Sequence, residues 1–164
     1  MRAWLLALLT LPALLRAQSP SAPYPLKQFS VQGNRHFTRE QIMNAAGLKL
    51  NQDVSKETFD TARDRLMATG GFESVGYAFK PAATNDGYDA TFDVAEVALL
   101  YKYRFEDLPL TEDRMRAALR QQELLFGKEI PATPDVLNRY NGVLARLLGG
   151  KIDVIGQQIG RAHV

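Results

Sequence analysis

The chain has 164 residues, of which 46% are hydrophobic, and this is enough for one domain of ordinary size or two small ones. Its 20 lysines and arginines against 18 aspartates and glutamates leave a net charge of +2 without a basic block, which argues against a nucleic-acid partner. Because the chain contains no cysteine, disulfides and cysteine-ligated metals are excluded.

The N-terminus has the pattern of an export signal followed by a linker. A positively charged start precedes an apolar stretch from Trp4 to Leu15, and Ala17 offers a small residue at a cleavage point. About 20 apolar residues are needed to cross a bilayer, so this stretch is too short for a membrane anchor. We therefore predict a signal peptide at residues 1–17 and an extended Pro/Ser linker at 18–25.

The first predicted module, residues 26–97, opens with a strand that turns directly into a helix. Phe29 and Val31 alternate with polar residues, as in a half-buried strand. Gly33-Asn34 resembles a hairpin turn, but the sequence after it predicts a helix start, so we expect a bend from strand into helix.

Capping signals delimit two helices. Thr38 to Gln41 fits a capping box, Phe37 and Ile42 fit its hydrophobic staple, and Gly47 predicts the end of the first helix. A serine cap opens the second helix, and two glycines end it. The apolar face predicted for the second helix consists of Phe59, Ala62, Leu66 and Met67.

Two alternating strands complete the module. Val75, Tyr77 and Phe79 alternate in the first strand, and a second alternating run begins at Tyr88 after the polar turn 85–87. The order strand, helix, helix, strand, strand predicts an α+β module in which two helices cover one face of a three-stranded mixed sheet.

A second, partial copy is predicted at residues 98–158. Tyr103 and Phe105 take the place of the first strand, Thr111 caps one helix, and Thr133-Pro134 opens another. The hairpin of this copy is incomplete. The last six residues, 159–164, match one reading frame of a sequencing-adapter oligonucleotide and are interpreted as a non-native tail, with a natural short tail as the alternative.

The first module resembles a POTRA (polypeptide-transport-associated) domain. The features that carry the resemblance are the strand ending in Gly-Asn, the aromatic and threonine cap, the glycine loop, the Gly-Phe after the second helix and a final Val-x-Glu segment. In this chain they are Gly33, Asn34, Phe37, Thr38, Gly47, Gly71, Phe72 and Val94-Ala95-Glu96. The second copy departs from the pattern because Glu106-Asp107 stands where Gly-Asn is expected.

The resemblance implies a periplasmic, polypeptide-binding or scaffolding part of an outer-membrane protein assembly factor. Implied partners are unfolded outer-membrane protein segments, periplasmic lipoproteins or chaperones, and an outer-membrane barrel in the full-length protein. Alternative hosts of such domains are two-partner secretion transporters and division proteins. A cleavable signal and a second copy argue against the division proteins.

The predicted binding surface is the backbone of the first hairpin strand, which we expect at a sheet edge. Unpaired N–H and C=O groups there can accept an extended client segment as an added strand. The candidate residues are Glu73, Val75, Tyr77 and Phe79, and the groove toward the second helix is expected to add shallow apolar contacts. The alternative is a solvated edge on a module that only spaces its neighbours.

A small exported enzyme is the remaining alternative, and the sequence offers little for it. His36 precedes a helix and His163 lies in the suspected tail, while no nucleophile has an activating motif. Asp60 and Asp64 are predicted to form surface ion pairs, and Asp86 is predicted to lie in a turn rather than a calcium site. No catalytic residue, metal or cofactor is predicted.

Overall fold

The computed structural model describes residues 23–150. The predicted signal peptide, most of the predicted linker, residues 151–158 of the second module and the six-residue tail lie outside this range. The elements in chain order are β1 (Tyr24–Gln32), α1 (Arg39–Ala46), β2 (Asp53–Val54), α2 (Lys56–Ala68), β3 (Phe72–Pro81), β4 (Tyr88–Glu96), β5 (Tyr101–Lys102), α3 (Glu112–Gln122), β6 (Glu129–Ile130) and α4 (Pro134–Leu148).

The first module has the predicted α+β architecture with one additional short strand. Its sheet has the order β2-β1-β4-β3, in which β1 and β4 are parallel while the β3–β4 and β1–β2 pairs are antiparallel. The extra strand forms because the segment after α1 returns to the start of β1, where Asn51 donates to the carbonyl of Leu26 at 2.8 Å. Consequently β1 begins at Tyr24, two residues earlier than the predicted module.

The predicted cap of α1 is confirmed. The Thr38 hydroxyl accepts from the Gln41 amide at 3.2 Å, and the Gln41 side chain accepts from the Thr38 amide at 2.9 Å. Gly47 ends the helix in the left-handed conformation, with φ 71°. These contacts satisfy backbone groups that the helix ends would otherwise leave free.

The apolar face of α2 differs from the prediction at one residue. Phe59, Ala62 and Leu66 are buried, but Met67 is 40% exposed. Met67 follows Leu66 by about 100° of helical rotation, which turns its side chain away from the sheet and onto the flank of the helix.

Both helices bury one face of the sheet in a common apolar core. Aromatic rings dominate this core: Phe59 lies 4.8 Å from Phe79, 5.6 Å from Tyr77 and 6.3 Å from Phe92, measured between ring centroids. Such pairs stabilise a core beyond their buried area. The core therefore packs β3 against α2.

In the second module, the strand predicted at Tyr103 and Phe105 is wrong. The strand β5 contains only Tyr101 and Lys102, which pair with β6. Within residues 23–150 the two-residue strand β6 is the only partner of β5, so the ladder ends before Tyr103. The Tyr103 ring instead packs 5.1 Å from Phe126.

Both helices of the second module begin directly after the predicted threonines, but only one of the two predicted caps is confirmed. Thr111 precedes α3 without a side-chain cap hydrogen bond. Thr133 caps α4 with Pro134 in the first turn, and Gly149 ends this helix at φ 67°. The residues of α4 that are fully buried are Val136, Tyr140, Val143 and Leu144.

Candidate functional site

The four candidate residues of the client-binding prediction lie on β3, which is an edge strand. In the part of the chain that the structure describes, β4 is the only strand paired with β3. Val75, Tyr77 and Phe79 are half-buried and pack against the core, whereas Glu73 is exposed. The structure therefore places three of the candidates on the helix-facing side of the edge and one at its start.

The hydrogen-bonding phase of the hairpin identifies which backbone groups point outward. The Ala82 amide donates to the Gly87 carbonyl at 2.9 Å, and these two residues continue the β3–β4 register. In an antiparallel pair, residues alternate between those that bond the partner strand and those that point away from it. Counting back from Ala82, the N–H and C=O groups of Phe79, Tyr77 and Val75 point away from β4.

The position of Pro81 is consistent with this alternation of bonded and outward-pointing residues. Pro81 is the next residue in the outward series, and proline has no N–H to donate. A proline is tolerated on an edge strand where its nitrogen faces away from the ladder. We call the backbone groups of Val75, Tyr77 and Phe79 the outward edge.

Features at both ends of the outward edge limit how far an added strand can pair with β3. A register irregularity lies between Phe72 and Ser74, and Pro81 ends the strand. Bulges and prolines are common means by which proteins restrict edge pairing. The uninterrupted segment therefore runs from Ser74 to Lys80, long enough for a short added strand.

The part of α2 that lies beside β3 carries charged side chains. We call Lys56, Asp60 and Arg63, which are spaced to share one face of the helix, the α2 rim. The Tyr77 hydroxyl donates to Asp60 at 2.7 Å, which places the middle of the α2 rim beside β3. The shallow apolar contacts expected in this groove stay a prediction.

The charges of the α2 rim are internally paired. Lys56 lies 2.7 Å and Arg63 3.6 Å from the Asp60 carboxylate. Hydrogen bonds from Lys56 and then Tyr77 lower the pKa of Asp60, while burial and then the bond to Asp60 raise the pKa of Tyr77. At neutral pH the α2 rim is therefore an ionised network.

The residues of the POTRA-like motif meet at one corner of the module. The Asn34 side chain donates to the Phe37 carbonyl at 2.9 Å, and the Phe37 ring lies 5.6 Å from Phe72. Gly33 has φ +80°, and a side chain there would overlap the Val94 carbonyl oxygen. This corner joins the end of β1 to the start of β3, so it sets where the outward edge begins.

Glu96 organises this corner, a role that the sequence motif did not reveal. Its carboxylate accepts from the backbone amides of Arg35 at 2.9 Å, His36 at 2.9 Å and Phe37 at 3.1 Å. The His36 ring lies 2.8 Å from the same carboxylate. The motif residues at the two ends of the module are therefore in direct contact.

The second module contacts the first at the same corner, which sequence reasoning also missed. Leu125 is buried in the core cluster of the first module, and a side chain at Gly71 would meet Leu125 at 3.0 Å. The Arg139 guanidinium donates to the Thr69 carbonyl at 2.6 Å, and Glu123 lies 3.3 Å from Arg139. No local pattern marks Leu125 or Arg139 as interface residues.

The histidine and carboxylates considered for an enzyme site form structural contacts. His36 is bound to Glu96, and Asp60 and Asp64 form the predicted ion pairs. Asn85 adopts a left-handed turn conformation with φ 54°. Within residues 23–150, no group of three or more potential metal ligands is close together, and no helix combines the length and apolarity needed to cross a membrane.

Comparison with known proteins returns matches among solved structures alone. No family model and no curated protein matches the chain. POTRA1-2 of the periplasmic domain of Omp85 from Anabaena is 15% identical over 76% of this chain and 78% of its own, with a TM-score of 0.44. The N-terminal domain of Omp85 from Thermosynechococcus elongatus is 13% identical over 76% of this chain and 51% of its own, with a TM-score of 0.45.

Another similar structure is POTRA3-5 of BamA from Haemophilus influenzae. It is 18% identical over 76% of this chain and 50% of its own, with a TM-score of 0.38. The chain thus spans about half the length of the second and third of these structures. The names describe those proteins, and the site described above depends on the geometry of this chain alone.

Proposed function

We propose that the protein is a periplasmic polypeptide-binding part of an outer-membrane protein assembly factor, and that it accepts client segments by strand addition at β3. The observation that carries the proposal is the outward edge. Three consecutive alternate residues present N–H and C=O groups away from β4, and within residues 23–150 no strand covers them. The sequence resemblance to POTRA domains and the predicted signal peptide support the location.

Strand addition at this site is expected to tolerate many client sequences. Affinity in this mode comes mainly from main-chain hydrogen bonds, and side-chain pockets add selectivity. The α2 rim beside the edge is polar and internally paired, so it offers little selective apolar contact. No catalytic role is part of the proposal.

A second candidate function is that the two modules act as a spacer that orients neighbouring domains. The buried Leu125 and the bond from Arg139 to Thr69 favour it, because they fix one module against the other. Spacing does not require the outward edge to bind anything, so a binding test at β3 separates the two candidates.

The test uses proline and alanine at one position. Val75→Pro removes an outward N–H and the half-buried side chain, while Val75→Ala removes most of the side chain but keeps the N–H. The probe is a 12-residue synthetic peptide of alternating apolar and polar residues with blocked ends. One lost hydrogen bond costs about 0.5–1.5 kcal/mol, and the proline ring also obstructs pairing, so we expect about tenfold weaker binding for Val75→Pro.

Binding is measured by titration of the ¹⁵N-labelled protein and by fluorescence anisotropy of the labelled peptide. We expect amide shifts to be larger at Val75, Tyr77 and Phe79 than at Gly76 and Ala78. The Val75→Ala control should bind within about threefold of wild type. A Val75→Pro protein that is folded by circular dichroism and binds as tightly as Val75→Ala would refute strand addition at β3.

A further inference from the structure

A cavity of about 300 Å³ opens between the two modules at the start of β3. Its walls come from the first residue of the proposed site, from the inter-module segment and from the segment after β6. The residues that matter for its chemistry are Glu73, Val97, Leu99, Tyr101 and Pro131. Pockets that hold drug-sized ligands have volumes of about 300 Å³ or more. This cavity is at the lower end of that range, so it suits one or two side chains rather than a larger cofactor.

The lining of the inter-module cavity is mostly apolar, includes the polar Thr133 and carries a single negative charge. Leu99 is 65% exposed, the largest exposed fraction among the large apolar side chains in the described part of the chain. Glu73 is the one charged residue in the lining, and within residues 23–150 it forms no salt bridge. An occupant that matches this lining is an apolar side chain with a cationic neighbour.

The cavity lies just beyond the N-terminal end of the outward edge along β3. Glu73 connects the two, because it lines the cavity and precedes Val75, the first residue of the outward edge, by two residues. Two residues of an extended strand span about 7 Å. The irregularity between Phe72 and Ser74 ends regular pairing at this point, and such irregularities redirect a strand. A chain paired with Val75 therefore reaches the cavity within about two further residues.

We infer that a client strand bound at β3 continues past Glu73 and places one apolar side chain in the inter-module cavity, next to a lysine or arginine that faces Glu73. This inference rests on the proposed function and adds a selectivity rule to it. Backbone pairing at the outward edge is blind to sequence, whereas the cavity selects clients that carry an apolar and a basic residue just beyond the paired segment. Both modules then contribute to one site.

The test extends the 12-residue probe by Ser-Leu-Arg. Parallel and antiparallel addition bring opposite ends of the client to Glu73, so the extension is made at each end in turn. One of the two extended peptides should bind about fivefold more tightly than the original, as burial of one partly enclosed apolar side chain predicts. Replacing the added leucine by serine should remove most of this gain, and replacing the added arginine by glutamate should weaken binding about two- to threefold.

Variants of the protein test whether the gain in affinity from the peptide extension arises in the inter-module cavity. Leu99→Ser should abolish the gain from the extension and leave binding of the original peptide unchanged. Leu124→Ser is the matched control, because Leu124 is also exposed, at 52%, but does not line the cavity. Glu73→Gln should remove the preference for arginine over glutamate at the end of the peptide.

The outcomes separate the inference from the proposed function. If Val75→Pro weakens binding of the original peptide but neither extension increases affinity, or the gain survives in Leu99→Ser, the inference is wrong and strand addition stands. If Val75→Pro leaves binding of the original peptide unchanged, both are wrong. Sedimentation that shows a dimer of the protein, lost in Leu99→Ser, would assign the cavity to a second copy of the chain and overturn the inference.

Discussion

Replacement of Glu96 by alanine should destabilise the first module, because one carboxylate serves as acceptor for three consecutive backbone amides. The Glu96 side chain is only 2% exposed. It accepts from Arg35, His36 and Phe37. Truncation leaves these donors in the corner that joins β1 to β3 without their acceptor.

The size of the destabilisation by Glu96→Ala depends on which of the three amide donors water can reach. Arg35 and His36 are exposed, so water replaces much of what their amides lose. The Phe37 residue is 5% exposed, and an unsatisfied buried donor costs about 1–3 kcal/mol. With the loss of charge-assisted bonding at the other two amides, we expect Glu96→Ala to lower the free energy of unfolding by about 2–4 kcal/mol.

Glutamine at the same position separates charge from shape. One carboxylate oxygen accepts from Arg35 and Phe37, and the other accepts from His36. An amide side chain retains one of these oxygens and loses the charge. We therefore expect Glu96→Gln to cost about half as much as Glu96→Ala, or about 1–2 kcal/mol.

The contribution of Glu96 should also depend on pH. Burial works to raise the pKa of Glu96, but hydrogen bonds from the amides of Arg35, Phe37 and His36 together lower it below the ordinary value. A lowered folded-state pKa means that the stabilisation is complete above the unfolded-state value of about 4.3. It is lost as the pH falls through the lower folded-state pKa.

Urea denaturation followed by circular dichroism, repeated from pH 7 to pH 3, measures both effects. Glu73→Gln is a suitable control, since Glu73 is an exposed glutamate that forms no salt bridge within residues 23–150. The reasoning fails if Glu96→Ala loses less than about 0.5 kcal/mol. It also fails if the difference between wild type and Glu96→Gln stays constant down to pH 3.

Two further substitutions test the corner and the contact between modules. Gly33→Ala should lower the free energy of unfolding by about 1–3 kcal/mol, because φ is +80° and the new methyl group overlaps the Val94 carbonyl. Gly142→Ala inside α4 should instead raise the free energy of unfolding by about 0.5–1 kcal/mol. Thermal unfolding of both variants checks these opposite signs, and a Gly33→Ala variant as stable as wild type would contradict the geometry. Arg139→Ala removes the bond to Thr69 and should broaden the distribution of distances between spin labels on the two modules, with little change in the stability of the first. The chain has no native cysteine, so two introduced cysteines label cleanly, and an unchanged distribution would show that Leu125 alone holds the contact.

Sequence reasoning succeeded where a signal is contained within a few neighbouring residues. The capping box at Thr38 and the left-handed helix end at Gly47 depend on contacts three to five residues apart, which can be read from the chain directly. The alternation at Val75, Tyr77 and Phe79 likewise determines which side chains share a face. The strand at Tyr103 and Phe105 was predicted by the same kind of alternation and is wrong, because a strand also needs a partner of matching length.

The amino-acid sequence by itself therefore determined the order of the two helices and three long strands of the first module, the ends of its first helix and the face that the hairpin strand buries, since local sterics and periodicity decide these properties. The short strand β2 was not predicted, because it forms only when the segment after α1 returns to β1. Only the tertiary structure decided that the Glu96 carboxylate meets amides about 60 residues away, that Met67 lies outside the core, and that Leu125 and Arg139 bind the first module. These contacts arise when distant segments pack together, and a residue's type and neighbours in the chain do not specify its partner across the fold.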